Sequence, residues 1–257
     1  MPPVGADHGH TLHYHGHSVV HRLPAHLKIV SALAFALLVV ATAREATWPY
    51  AVHLAALLLA VRAARVPAAY LVKRLVVEVP FVVFAVLLPF VASGPRTSLL
   101  GVSLSEPGLV AAWALLAKGT LGVLTALLLA ATTEPRDLLA GLTRLRLPGQ
   151  LVEIMGFMVR YVEVVAGELR RMSIARTSRG FDARSPRHWP VLAHSLGTLF
   201  VRSYERGERV HLAMLSRGYT GSLPDLDVVA VRRTDVFAAA LLPTLAAIGA
   251  AWAMMTR

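Results

Sequence analysis

Two short stretches have residue types and spacing suited to gripping a partner. Ser178-Arg179-Gly180-Phe181 and Ser216-Arg217-Gly218-Tyr219 repeat one pattern, small-Arg-Gly-aromatic. A glycine after a helical run commonly stops the helix in a left-handed cap. An arginine there suits the negative end of the helix dipole, and it projects from the end of a rod, where it can enter a partner's groove. One copy reads as ordinary capping. Two copies, each with a small residue before and an aromatic after, read as a contact made twice. A second candidate is the histidine tract His8, His10, His13, His15 and His17, followed by His21 and His26. Closely spaced neutral imidazoles are ligands for divalent transition metals. The plain alternative is a polar tail with adventitious affinity. A third is Lys118, an ionisable group inside an apolar run, which is a functional candidate by its depth. The plain reading there is a lysine facing the bundle interior or snorkelling.

Helices must position these groups. Leu151, Met155, Met158, Val162, Val165, Leu169 and Met172 alternate in steps of four and three, and the same spacing continues to Arg176 and Arg179. Leu192, Leu196, Leu199, Ser203, Arg206, Val210, Ala213 and Arg217 repeat it. Each stripe is one helical face ending in an arginine. The segment 182–190, with two prolines, separates the two rods.

Composition sets the surroundings. The 257 residues have a mean hydropathy of +0.58 and only 16% charged residues. Apolar runs long enough to cross a bilayer recur without alternation, which predicts an all-α polytopic membrane protein and excludes a β-barrel. The spans read as Leu27–Ala43, Trp48–Ala64, Leu75–Ala92, Leu109–Ala131 and Val236–Met255. That gives about five transmembrane helices plus a pair of long helices outside the bilayer. Leu151–Ala166 is apolar enough to dip into the interface as a partial sixth. The chain divides into a His-rich leader (1–26), four spans (27–131), a helical region (132–234) and a last span (235–257). Arg62, Arg65, Lys73 and Arg74 gather around one loop, and arginines fill 134–233. The positive-inside rule therefore places the leader and the helical region in the cytoplasm of a multi-pass protein of the cell membrane. Membrane orientation accounts for the net charge of +11 better than nucleic acid does. With no cysteine, no disulfide or thiolate metal site exists. No cleavable signal peptide is expected.

Catalytic signatures are missing. There is no Gly-x-x-x-x-Gly-Lys-[Ser/Thr], no Gly-x-Gly-x-x-Gly and no His-Glu-x-x-His. The spans hold no paired carboxylates for a proton or ion relay. The chain is expected to be non-enzymatic, to carry no cofactor, and to be coupled mechanically to a separate motor.

Several stretches then carry a resemblance. They are His21-Arg22-Leu23-Pro24 with Lys28, Thr132-Thr133-Glu134-Pro135, Arg160-Tyr161, Glu168-Leu169-Arg170-Arg171-Met172, Arg202-Ser203-Tyr204-Glu205-Arg206 and Ala213-Met214-Leu215-Ser216-Arg217-Gly218-Tyr219. On these the chain resembles the transmembrane T component of energy-coupling factor (ECF) transporters, the EcfT family, in its cobalt/nickel form called CbiQ. The family's signature is two Ala-Arg-Gly motifs at the ends of its coupling helices, and here both alanines are serine. The resemblance implies that Ser178, Arg179, Gly180, Ser216, Arg217 and Gly218 dock two ABC-type ATPase subunits. It also implies that the membrane part holds a membrane-embedded substrate-binding S component, with cobalt or nickel as the cargo. A vitamin importer uses the same scaffold. A self-contained membrane metal-handling protein would instead use the histidine tract and Lys118 directly, and a purely structural anchor would share the rods without supporting transport.

Overall fold

The computed structural model describes residues 14, 16, 18–99, 102–181, 188–221 and 231–255. The chain divides into two compact units. One comprises 1–141 with 229–257, the other 142–228.

The first unit is a helical bundle. A one-turn helix α1 (Val19–Arg22), capped by the Ser18 hydroxyl, leads into α2 (Ala25–Ala41). Then come α3 (Trp48–Ala64), α4 (Ala68–Arg74), a 3-10 turn (Leu75–Glu78), α5 (Val79–Val91), α6 (Glu106–Thr132) and α7 (Pro135–Arg144), and after the second unit α10 (Arg233–Met255). Three stretches are long and apolar enough to cross a bilayer: Ala68–Val91, Glu106–Thr132 and Arg233–Trp252. α2 and α3 are shorter apolar helices. These five match the number of spans expected, and the chain is a multi-pass helical membrane protein. The core sits where α2, α3, α6 and α10 meet, around Phe35, Val39, Leu57, Leu121, Leu128 and Ala246. Aliphatic and aromatic side chains continue onto the outer faces, as hydrocarbon-facing helices require.

Two details depart from the sequence reading. The third span begins at Ala68, not Leu75, and takes Lys73 and Arg74 into a helix, so the basic loop shrinks to the turn at Arg65–Pro67. Arg74 lies over the Tyr70 ring at 3.9 Å and donates to its hydroxyl, so its charge is satisfied locally. Pro80 follows the 3-10 turn. It lacks an N–H, which fits a break in the hydrogen-bond ladder at 75–78. The expected loop Ser93–Pro107 contains a small hairpin of β1 (Arg96–Leu99) and β2 (Val102–Ser105), antiparallel with Arg96 opposite Ser105.

The second unit is built on α8 (Gly149–Ser178) and α9 (Trp189–Leu215). They run antiparallel: Arg206 of α9 pairs with Glu168 of α8, and Tyr219 beyond α9 reaches Glu153 near the start of α8. Leu199 is the single buried residue on these two helices among the described residues. On α9 the face turned inward includes Leu192, Leu199, Ser203, Arg206 and Val210 of the predicted stripe, while its Leu196 and Ala213 are exposed. On α8 the expected stripe is split, with Leu151, Met158 and Val162 exposed by 51%, 66% and 62%. Phe157, Tyr161 and Glu168 are turned inward beside Met155, Val165 and Met172 of that stripe.

Candidate functional site

The two arginine-bearing ends are alike in atomic detail. α8 passes through Arg179 (φ −92°, ψ 15°) into Gly180 at φ +76°. The Gly180 N–H donates to the Thr177 carbonyl at 3.0 Å, and the Phe181 N–H donates to the Arg176 carbonyl at 3.1 Å. At the end of α9, Gly218 has φ +85°, its N–H donates to Leu215 at 3.0 Å, and the Tyr219 N–H donates to Met214 at 3.0 Å. Both ends are Schellman caps with glycine in the left-handed position. A Cβ at either glycine would meet no atom within 4 Å, so the backbone dihedral alone selects glycine.

The serines serve the same cap. Ser178 donates its hydroxyl to the Ala175 carbonyl at 3.1 Å and Ser216 to the Ala213 carbonyl at 3.0 Å. Each hydroxyl proton is therefore taken up within its own helix. Arg179 and Arg217 are both exposed. The aromatics fold back and steady the ends. The Phe181 ring packs 5.1 Å from the His188 ring, and the Tyr219 hydroxyl donates to Glu153 Oε2 at 2.5 Å. That bond holds the Tyr219 proton and raises its pKa.

The antiparallel arrangement sets the spacing of the two ends. Tyr219 fixes the end of α9 level with Glu153, and Arg179 lies 26 residues further along α8. At 1.5 Å per residue the arginines stand roughly 40 Å apart along the pair. Midway, Arg206 donates to Glu168. This bond, with Arg171 and Arg202 nearby, holds the Glu168 carboxyl below its ordinary range. The other oxygen of Glu168 is buried with no hydrogen-bond partner among the described residues. A cleft of about 240 Å³ lies between the two helices, lined by Phe157, Tyr161, Gly207, Val210, His211 and Met214.

In the first unit, Lys118 sits halfway along α6, and its Nζ donates to the Val40 carbonyl of α2 at 2.7 Å. The histidine-tract residues His8, His10, His13, His15 and His17 lie outside the described residues. His21 is described: its ring pairs with the Ser18 hydroxyl at 2.7 Å and with the Tyr14 carbonyl at 3.0 Å. Residue types alone did not single out Lys28 as a site. It is buried, and its ammonium donates to the carbonyls of His21 (3.0 Å) and Thr132 (2.8 Å) and to the Thr133 hydroxyl (3.3 Å). One cation thus joins the end of α1 to the C-terminus of α6, where carbonyls lack helical partners. Gly141 of α7 packs against the same junction: a Cβ there would stand 2.9 Å from the His26 nitrogen. Glu78 is likewise buried and accepts the Thr120 hydroxyl at 2.5 Å, which pins the 3-10 turn to α6. The sequence signal for both is a charge inside an apolar stretch, but sequence does not show which oxygen or hydroxyl meets it.

The chain thus combines a bundle of apolar helices with a helix pair in which each helix is closed by the same arginine-bearing cap. The family follows from comparison: the chain belongs to the CbiQ cobalt transport protein family, whose model matches residues 16–226. It is 28% identical over 222 residues to the energy-coupling factor transporter transmembrane protein EcfT of Bacillus selenitireducens, covering 80% of this chain and 81% of that one. It is 28% identical over 160 residues to the cobalt transport protein CbiQ of Rhodobacter capsulatus, covering 62% and 64%. An uncharacterised protein of Methanocaldococcus jannaschii is 32% identical over 108 residues, covering 42% of this chain and 40% of its own. Matches to the last two thus span less than two thirds of those proteins.

Proposed function

We propose that the chain is the T component of an ECF-type ABC importer. It would carry the ATP-driven motion of two cytoplasmic ATPase subunits to a membrane-embedded S component, with cobalt or nickel as cargo. The observation that carries this reading is the pair of identical caps holding Arg179 and Arg217 exposed, roughly 40 Å apart along an antiparallel rod pair. One contact built twice and set that far apart suits two copies of one partner better than a single groove. On this reading α8, α9 and the leader face the cytoplasm, and the subunit itself is not an enzyme. The outward apolar face of α8, with Leu151, Met158 and Val162, supports contact with a further apolar partner.

Cells expressing the chain with its ATPases and S component test the proposal by uptake of radiolabelled cobalt. The Arg179→Glu/Arg217→Glu variant should insert normally and lose uptake. Uptake equal to wild type in that variant would refute coupling through these arginines. Accumulation of a vitamin in place of cobalt or nickel would keep the scaffold and reassign the cargo.

A further inference from the structure

The two rods share an exposed apolar face. On α8, Phe157, Tyr161 and Glu168 face α9, and the exposed Leu151, Met158, Val162 and Leu169 sit about 100° further round the helix. On α9, Leu199, Arg206 and Val210 face α8, and the exposed Leu196, Phe200, Tyr204 and Leu215 sit about 110° further round in the same sense. The helices run antiparallel, so nearly equal turns of the same hand carry both stripes to one side of the pair. From Leu151 to Met172 and from Trp189 to Leu215, no Asp, Glu, Lys or Arg lies within about 60° of either stripe. Arg160 and Arg171 of α8 and Arg202, Glu205 and Arg209 of α9 lie on the opposite side. The pair is thus a platform with one apolar and one charged face.

Size and composition select the occupant. From Leu151 to Leu169 the stripe runs roughly 27 Å, and two helices about 10 Å apart make the apolar face on the order of 500 Å², which marks an interaction surface. The platform is joined to membrane spans at both of its ends, through α7 and residues 145–148 to α6, and through residues 216–232 to α10. Its exposed aromatics are Trp189, Phe200 and Tyr204. Trp and Tyr settle at membrane surfaces, with the ring in the acyl boundary and the polar tip toward water. The cleft between the helices, lined by Gly207 and His211 of the same stripe, gives the face a groove for an acyl chain. A helix with one apolar and one arginine-bearing face lies in the interface plane, sunk about 5–10 Å into the headgroup–acyl boundary.

We infer that the shared apolar face of α8 and α9 lies on the bilayer, in the headgroup–acyl boundary, and that its occupant is lipid. The inference goes beyond the coupling role: it rests on the chain being a multi-pass membrane protein and not on the docking of ATPases.

The chain contains no cysteine, so single thiols report on chosen positions. Met158→Cys and Phe200→Cys place one on the apolar face, and Arg160→Cys and Arg209→Cys place one on the charged face, all at exposed positions. The full chain, labelled with a nitrobenzoxadiazole fluorophore, is reconstituted with its ATPases and S component in phosphatidylcholine vesicles holding iodide on both sides. Labels at 158 and 200 should be blue-shifted, lose emission to doxyl-labelled phosphatidylcholine and resist iodide. Labels at 160 and 209 should lose emission to iodide and resist the doxyl lipid. Equal iodide quenching at all four positions would overturn the proposal. So would apolar-face labels shielded from both quenchers, or quenched by the doxyl lipid only in vesicles lacking the S component, since either result makes the face a protein interface. ATPases retained while the lipid contact fails, or lost while it holds, separate the fate of this proposal from that of the coupling reading.

Discussion

Ser178 and Ser216 direct their hydroxyl protons to Ala175 and Ala213 within their own helices, so neither offers a free donor to a partner. Ser178→Ala/Ser216→Ala should therefore leave ATPase binding within about 0.5 kcal/mol of wild type, measured by titration of the detergent-solubilised chain. The glycines differ. Gly180 and Gly218 hold φ of +76° and +85°, and alanine there must adopt a left-handed backbone. Gly180→Ala or Gly218→Ala should destabilise its helix end by about 1 kcal/mol. Hydrogen exchange at the Phe181 or Tyr219 amide should read this as faster exchange, even though the added methyl has open space. The arginine–glycine ends and their capping role were legible in sequence, because a cap is local chemistry over six residues. The fate of the serine hydroxyls was not, because a back-bond and a docking contact ask for the same residue type.

At the scale of the helix pair, two titrations bracket stability. Glu168 has a folded pKa lowered first by its bond from Arg206, so its stabilising contribution is full above the unfolded value, about 4.3. That contribution is lost as pH falls through the folded value. Tyr219 has a folded pKa raised first by its bond to Glu153, so its contribution is full below about 10 and is lost as pH rises through the folded value. The protection factors of the amides across α8 and α9, with the intrinsic pH dependence of exchange divided out, should therefore be largest near neutrality and fall on both sides. Glu168→Gln should remove the acid arm, and Tyr219→Phe the alkaline arm. Periodicity identified both rods but oriented α9 better than α8. On α8, Glu168 and Tyr161 turn inward while Leu151 and Met158 turn outward, because the ion pair and the aromatic contacts fix its rotation. The 3-10 break at Leu75–Glu78 was similarly hidden: it is held by Glu78 on Thr120, a bond between residues 42 apart.

At the scale of the whole molecule, the chain reads as a bundle fastened by a few buried charges and a separate rod pair bearing two equal ends. Lys28 fastens the bundle at the junction of α1, α2 and α6. Lys28→Met should cost roughly 2 kcal/mol, since it leaves the Thr132 carbonyl without its donor, and it should lower the melting temperature in detergent. The spans were legible from hydropathy alone, because the bilayer imposes length and composition on each helix. This junction was not, since its partners are 104 residues apart in sequence. The most direct test of the account counts ATPases. The chain is co-expressed with candidate ABC-type ATPases, purified from membranes, and the ATPase copies per chain are measured by native mass spectrometry. Wild type should hold two, Arg179→Glu and Arg217→Glu one each, and the double variant none. Two copies retained by the double variant, or none on wild type, would contradict the claim that these arginines dock the motor.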